Sequence, residues 1–134
     1  MNIVSDYLNP KLDRELLNIS TLALAHIGDA VFELMVLTWL CTQGIATAKQ
    51  LHGNAIEYVS ARAQSAAFSK LLPNLSEQEN DVFKRGRNSH LSSAPRSSSL
   101  EEQHVATGLE ALFGYLYLNG ETKRLDELFS LIVK

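Results

Sequence analysis

The sequence predicts an all-α protein, a bundle of helices, on three observations. No stretch alternates apolar and polar residues over a strand length with β-branched enrichment. The hairpin dipeptides Asn-Gly and Asp-Gly occur once, at Asn119-Gly120. Two segments, LALAHIGDAVFELMVLTWL and VATGLEALFGYLYL, are apolar on nearly every side. Helices of that kind belong at the centre of a bundle, because a surface helix keeps a polar stripe.

Each element follows from its own capping chemistry. Ser20 is an N-cap for a long helix over 21–42, with Gly44 just past its end. Thr47 caps a shorter helix to about Tyr58, weakened by Gly53. Ser60 starts a third, which stops before Pro73. Ser76 and Glu79 have capping-box spacing and open a helix running into Lys84–Arg87. Ser98 with Glu101, or Ser99 with Glu102, offers a second capping box, and the helix it opens reaches Asn119 with Gly120 at C′. A last helix occupies about 121–133, and no internal repeat is visible.

A chain of 134 residues, 46% of them hydrophobic, supports one domain spanning 1–134 with a single core. One cysteine excludes an internal disulfide framework and any multi-cysteine metal site, so a reducing, cytoplasmic setting is expected. The first residues carry polar and charged groups throughout, with no apolar signal-peptide core. The apolar run Leu22 to Leu40 is interrupted by His26, Asp29 and Glu33, which argues against a membrane span.

The net charge of −3 argues, taken as a sum, against nucleic-acid binding, but its distribution does not. Residues 81–100 hold Lys84, Arg85, Arg87 and Arg96 against Asp81 alone, a net +3 that leaves −6 for the remainder. The stretch KRGRNSHLSSAPRSSS, rich in Ser, Gly and Pro, reads as a mobile basic loop (about 85–98) between packed segments. Either it is a solvated linker, or it binds anions.

Three carboxylates do not fit their apolar helices. Asp29 and Glu33 lie one turn apart on the first long helix, and Glu110 sits in the middle of the second. No Lys or Arg lies within four residues of any of them, so intrahelical pairing cannot offset burial. They face solvent, pair with a distant base, or hold a metal. Small residues (Ala23, Ala25, Gly28 and Ala30; Ala106, Gly108, Ala111 and Gly114) let the two helices approach closely. Crossing at those glycines would make Asp29 and Glu110 converge on oxygen ligands suited to Mg²⁺, with Glu33 a further candidate. A metal beside a basic loop suits phosphodiester hydrolysis, where arginines contact the phosphates in pairs. No competing constellation appears. Cys41 reads as a core or boundary thiol, and His26, His52, His90 and His104 lack metal-binding spacing. Phe32, Trp39, Phe113, Tyr115 and Tyr117 fall at helical spacing and read as core.

LALAHIGDAVFEL resembles the signature helix of ribonuclease III domains, and ATGLEALFGYLYL resembles their second catalytic helix. With VSARAQS at 59–65 and FKRGRNS at 83–89 between them, about residues 17–133 resemble the Mini-ribonuclease III family. The resemblance implies a ribonuclease III endonuclease-domain-like bundle, without a separate double-stranded-RNA-binding domain. It implies a homodimer that cleaves double-stranded RNA with one or two Mg²⁺ per site and leaves 5′ phosphates. By the matching motifs, Asp29 and Glu110 are the implied catalytic and metal-holding residues. Three acidic positions of longer ribonuclease III enzymes are Leu22, Ala25 and Thr107 here, which two carboxylates match better to one Mg²⁺ than to two. Lys84, Arg85, Arg87, Asn88 and Arg96 are the implied RNA contacts, with Arg62 and Gln64 as secondary candidates. The family's implied task is maturation of the 23S ribosomal RNA precursor, with a large-subunit ribosomal protein as an assisting partner. A non-catalytic RNA-binding or scaffold subunit of the same fold is the alternative.

Overall fold

The structure, a computed structural model, describes residues 6–12, 16, 18–89 and 99–134. Among them are six α-helices and no strand: α1 Thr21–Thr42, α2 Ala48–Val59, α3 Ala61–Leu71, α4 Glu77–Arg87, α5 Leu100–Leu118 and α6 Thr122–Val133. A 3₁₀ turn, Leu72–Asn74, carries Pro73 and ends α3 as the proline requires.

The caps hold nearly residue for residue. Ser20, Thr47 and Ser60 accept from the backbone N–H groups of Ala23, Gln50 and Ala63. Both arms of the Ser76–Glu79 capping box are made, and of the two candidates before α5 it is Ser99–Glu102 that forms. Asn119 caps α5, and Gly120 follows with φ +77°, a conformation glycine adopts without strain.

α5 is the axis of the bundle. Ten of its nineteen residues are buried, and α1, α3, α4 and α6 all pack against it. Phe113 meets Phe32 of α1 edge-on at 5.4 Å, and Phe32 in turn meets Phe129 of α6 at 6.0 Å. The rings of Phe68 (α3) and Phe83 (α4) stack at 3.7 Å. Glu79, buried, is clasped by Arg124 of α6 at 2.7 and 2.9 Å, while the same guanidinium donates to the Asn74 carbonyl.

Three expectations need correction here. α1 is not a central helix. Only Leu24, Ala25, Gly28, Phe32, Val36 and Leu40 are buried; Leu34 stands 55% exposed on the opposite side, and Leu22 is 48% exposed in the first turn. A uniformly apolar helix carries no periodic signal to say which face is covered. Nor are Lys84, Arg85 and Arg87 part of a mobile loop; they form the last turn of α4, where cations complement the helix dipole. The rest of the predicted loop, residues 90–98 with Arg96 and His90, lies outside the described residues. Cys41, expected in the core or at its boundary, is exposed at the end of α1.

Candidate active site

The α1–α5 crossing is made by two glycines. A Cβ on Gly28 would collide with the main-chain carbonyl of Glu110, and one on Gly114 would collide with the carbonyl of Leu24. Backbones this close leave no room for any side chain at the crossing. Asp29 follows Gly28, so the crossing delivers its carboxylate to Glu110. On its other side α5 meets α4 through Gly86 and Gly108, where a Cβ on Gly86 would lie 2.8 Å from Gly108 Cα and from Ala111 Cβ. The glycine of the Lys-Arg-Gly-Arg-Asn motif is thus a packing residue that seats the basic turn against α5.

At Glu110 three elements converge. Burial first, then the charge of Asp29 and a hydrogen-bonding contact with it, push the Glu110 carboxyl up to about 8. The side-chain amide of Gln64, from α3, acts in the opposite direction. Among the described residues the ion pairs are Arg62–Glu102 at 3.9 Å and Arg124–Glu79 at 2.7 Å, and neither touches this site. Of the three fates open to the carboxylates, a distant base is therefore not the one realised among these residues. Asp29 is exposed at the mouth and Glu110 is half-buried behind it.

The other candidates fall into place around this pair. Glu33 and His26 are exposed on the Asp29 face of α1 and line one wide groove of about 910 Å³ with Asp29. Thr107 is buried and its hydroxyl donates to the Gln103 carbonyl at 2.9 Å, so it is turned along its own helix. Arg62 is 80% exposed. Gln64 is fully buried, which corrects its reading as an RNA contact: a side chain with no exposed surface cannot reach a duplex. The sequence offered one signal of this, a lone amide among the small residues of Ala-Arg-Ala-Gln-Ser-Ala-Ala.

The basic turn presents Lys84 and Arg85 to solvent. Arg85 lies near enough to Tyr115 of α5 to act on its hydroxyl, which also accepts from Gln78 at 2.6 Å. Arg87 is half-buried with its guanidinium 5.8 Å from the centre of the Phe83 ring, and its Nε donates to Asn88 Oδ1 at 3.4 Å. Asn88, exposed, caps α4.

Two neighbouring carboxylates with hard oxygen donors and no cationic partner among the described residues have the chemistry that suits a divalent cation. No cluster of three or more His, Cys, Asp or Glu side chains suited to a metal occurs among the described residues.

Comparison with known proteins agrees with the geometry. The ribonuclease III domain pattern matches residues 22–121. The chain is 45% identical over 112 residues to the Mini-ribonuclease 3 of Symbiobacterium thermophilum, covering 84% of this chain and 86% of that one. It is 40% identical over 118 residues to the Mini-ribonuclease 3 of a Thermoanaerobacter species, covering 88% and 83%. The crystal structure of protein FN1578 from Fusobacterium nucleatum superposes with a TM-score of 0.80 at 28% identity, over 89% of this chain and 95% of that one.

Proposed function

The chain belongs to the ribonuclease III family and is an endoribonuclease of the Mini-ribonuclease 3 type, and we propose that it hydrolyses double-stranded RNA with Mg²⁺ held by Asp29 and Glu110. The observation that carries this reading is the glycine crossing, which brings the Glu110 carboxyl against Asp29, itself on the wall of a wide groove, with no cationic partner among the described residues. A carboxyl pushed to about 8 by burial and by its neighbour's charge holds a proton at neutral pH that a divalent cation would displace, and the orphaned Gln64 amide beside it leaves further polar capacity unspent. Asp29 and Glu110 therefore fit the ion. Two carboxylates accommodate a single Mg²⁺ more readily than a pair, and Thr107, bonded to Gln103, is left out of the ligand set.

Held by Asp29 and Glu110, Mg²⁺ would supply water activation and charge neutralisation at the phosphodiester. The chain's own residues do the rest. Asp29 and Glu110 fix the position at which the phosphodiester is attacked, and Lys84 and Arg85 hold backbone phosphates from the exposed turn of α4. Arg87, anchored on Phe83, and Asn88 extend that phosphate-binding edge, with Arg96 assigned to it from sequence and Arg62 as an outlying contact. A-form RNA is read through its shape, its phosphates and its 2′-hydroxyls, and the exposed basic turn of α4 supplies the phosphate contacts.

The outer face of α1, with Leu34 exposed in the wall of the groove beside Ile27, Val31 and Leu37, supports a homodimer in which two such faces meet. Maturation of the 23S ribosomal RNA precursor in the cytoplasm, assisted by a large-subunit ribosomal protein, is the physiological task we assign on family likeness.

The test is a defined RNA duplex incubated with Mg²⁺ and the wild type, Asp29→Asn or Glu110→Gln. Cleavage by the wild type and none by either variant is expected, with both variants folded. A variant that cuts at the wild-type rate removes its residue from the site.

A further inference from the structure

Gln64 sits in the second turn of α3, a helix whose start is secured by Ser60, which accepts from Ala63 N–H at 3.2 Å and whose carbonyl takes the Gln64 N–H at 2.9 Å. Its backbone is thus fully accounted for. Its side chain is not. The residue has no exposed surface, and neither Nε2 nor Oε1 finds a hydrogen-bond partner. Burying an amide in this state is costly, whereas a Leu or Met of similar size would fill the same space without penalty. The amide adds nothing to the fold, so its reason lies in what it faces. That is Glu110, close enough for the amide to act on the carboxylate although no complete hydrogen bond is formed.

We propose that Gln64 is a positioning residue, whose Nε2 donates a hydrogen bond to the ionised Glu110 carboxylate and holds it in the orientation that binds a divalent cation. The inference rests on the reading of Glu110 as a metal-holding residue. Asp29 approaches the carboxylate from α1 and Gln64 from α3, so the carboxylate is held between two helices packed on α5. An amide can serve there in a way a cation cannot. It donates without neutralising the charge the metal needs, and its second N–H and its carbonyl remain available to the water that a magnesium ion keeps.

The test compares wild type, Gln64→Met, Glu110→Gln and the double variant by Mn²⁺ titration calorimetry and by thermal unfolding without metal. Gln64→Met is expected to unfold at or above the wild-type temperature, because an orphaned polar group is removed, and to bind Mn²⁺ about tenfold more weakly. Its duplex-cleavage rate should fall at low Mg²⁺ and recover as Mg²⁺ is raised, with KM for RNA unchanged. Glu110→Gln should lose binding, and adding Gln64→Met to it should change nothing further. Wild-type Mn²⁺ affinity in Gln64→Met, beside lost binding in Glu110→Gln, overturns the positioning role and leaves the metal site standing. Wild-type affinity in Glu110→Gln overturns the site itself. Should Gln64→Met fail to fold, Gln64→Leu takes its place with the same readouts. Failure of both to fold makes Gln64 a structural residue and ends the proposal.

Discussion

The main-chain carbonyl of Glu110 occupies the space that a side chain on Gly28 would need. The position of Glu110 and the helix crossing are therefore one feature. Gly28→Ala must push α1 away from α5 or bend one of them, and neighbouring Gly114, equally tight against Leu24, leaves no slack. Overpacking of this kind costs about 1–3 kcal/mol and occasionally more. Because Asp29 moves with α1, Gly28→Ala should lose cleavage by a larger factor than its loss of stability explains. Denaturant unfolding set beside initial rates on duplex RNA checks this; full activity in a folded Gly28→Ala would separate the crossing from the site.

Without metal, stability should fall as pH rises. The Glu110 carboxyl is at about 8 in the folded protein against 4.5 in the unfolded chain. Below pH 4.5 both states hold the proton and the group is neutral to folding. Between 4.5 and 8 only the unfolded chain ionises, so folding is disfavoured progressively, by at most about 1.4 kcal/mol per pH unit. Above 8 the penalty is complete, on the order of a few kcal/mol. Glu110→Gln should abolish this slope, matching wild type near pH 5 and exceeding it at pH 8.5. Mg²⁺ must displace the same proton, so the stabilisation it confers should grow from pH 6 to 8.5 in wild type and be absent in Glu110→Gln. Unfolding curves at three pH values, with EDTA or with Mg²⁺, test both halves.

What was legible in the sequence was what local chemistry writes. Ser20, Thr47, Ser60, Ser76 and Ser99 announce their helices by hydrogen bonds made within four residues, and the structure makes each of them. The convergence of Asp29 and Glu110 was legible because glycines at 28 and 114 allow one kind of crossing. What failed to show was anything that depends on a third element. Gln64 looks like a surface amide until α3 is laid on α5. Gly86 shows no packing role until Gly108 is found against it. The Arg124–Glu79 clasp spans 45 residues and has no local trace. α1 misled for the opposite reason: its sequence is apolar on the open face as well as the buried one, so it carries no periodic signal.

That open face gives a prediction of its own. Leu34 is 55% exposed on the wall of the groove, away from the buried stripe of Phe32 and Val36. Leu34→Glu therefore leaves the core untouched and should change the unfolding free energy of an isolated subunit by less than about 0.5 kcal/mol. In a homodimer formed through α1 it buries a charge at the interface beside its symmetry mate. Sedimentation equilibrium should then show a dimer for wild type and a monomer for Leu34→Glu, with cleavage reduced. A Leu34→Glu dimer as tight as wild type would place the interface elsewhere.

The basic turn of α4 should govern RNA affinity without governing the fold, and the structure divides its residues by task. Lys84 and Arg85 are exposed, so replacing both with glutamine removes two phosphate contacts and a small favourable interaction with the helix dipole, about 0.5 kcal/mol each. Arg87 is different. Its guanidinium covers the Phe83 ring, which is stacked on Phe68, so Arg87→Ala uncovers apolar surface and should cost roughly 1 kcal/mol of stability besides its share of binding. For Lys84→Gln/Arg85→Gln, affinity for catalytically inert Glu110→Gln protein on duplex RNA should drop at every salt concentration. The slope of log affinity against log salt should fall by nearly 2, because two fewer phosphates are neutralised. An unchanged slope would mean that the phosphates are held by other side chains, and a collapse in thermal stability would make the turn structural. Asn88→Ala is the internal control: it carries no charge, so it should lower affinity without altering the slope.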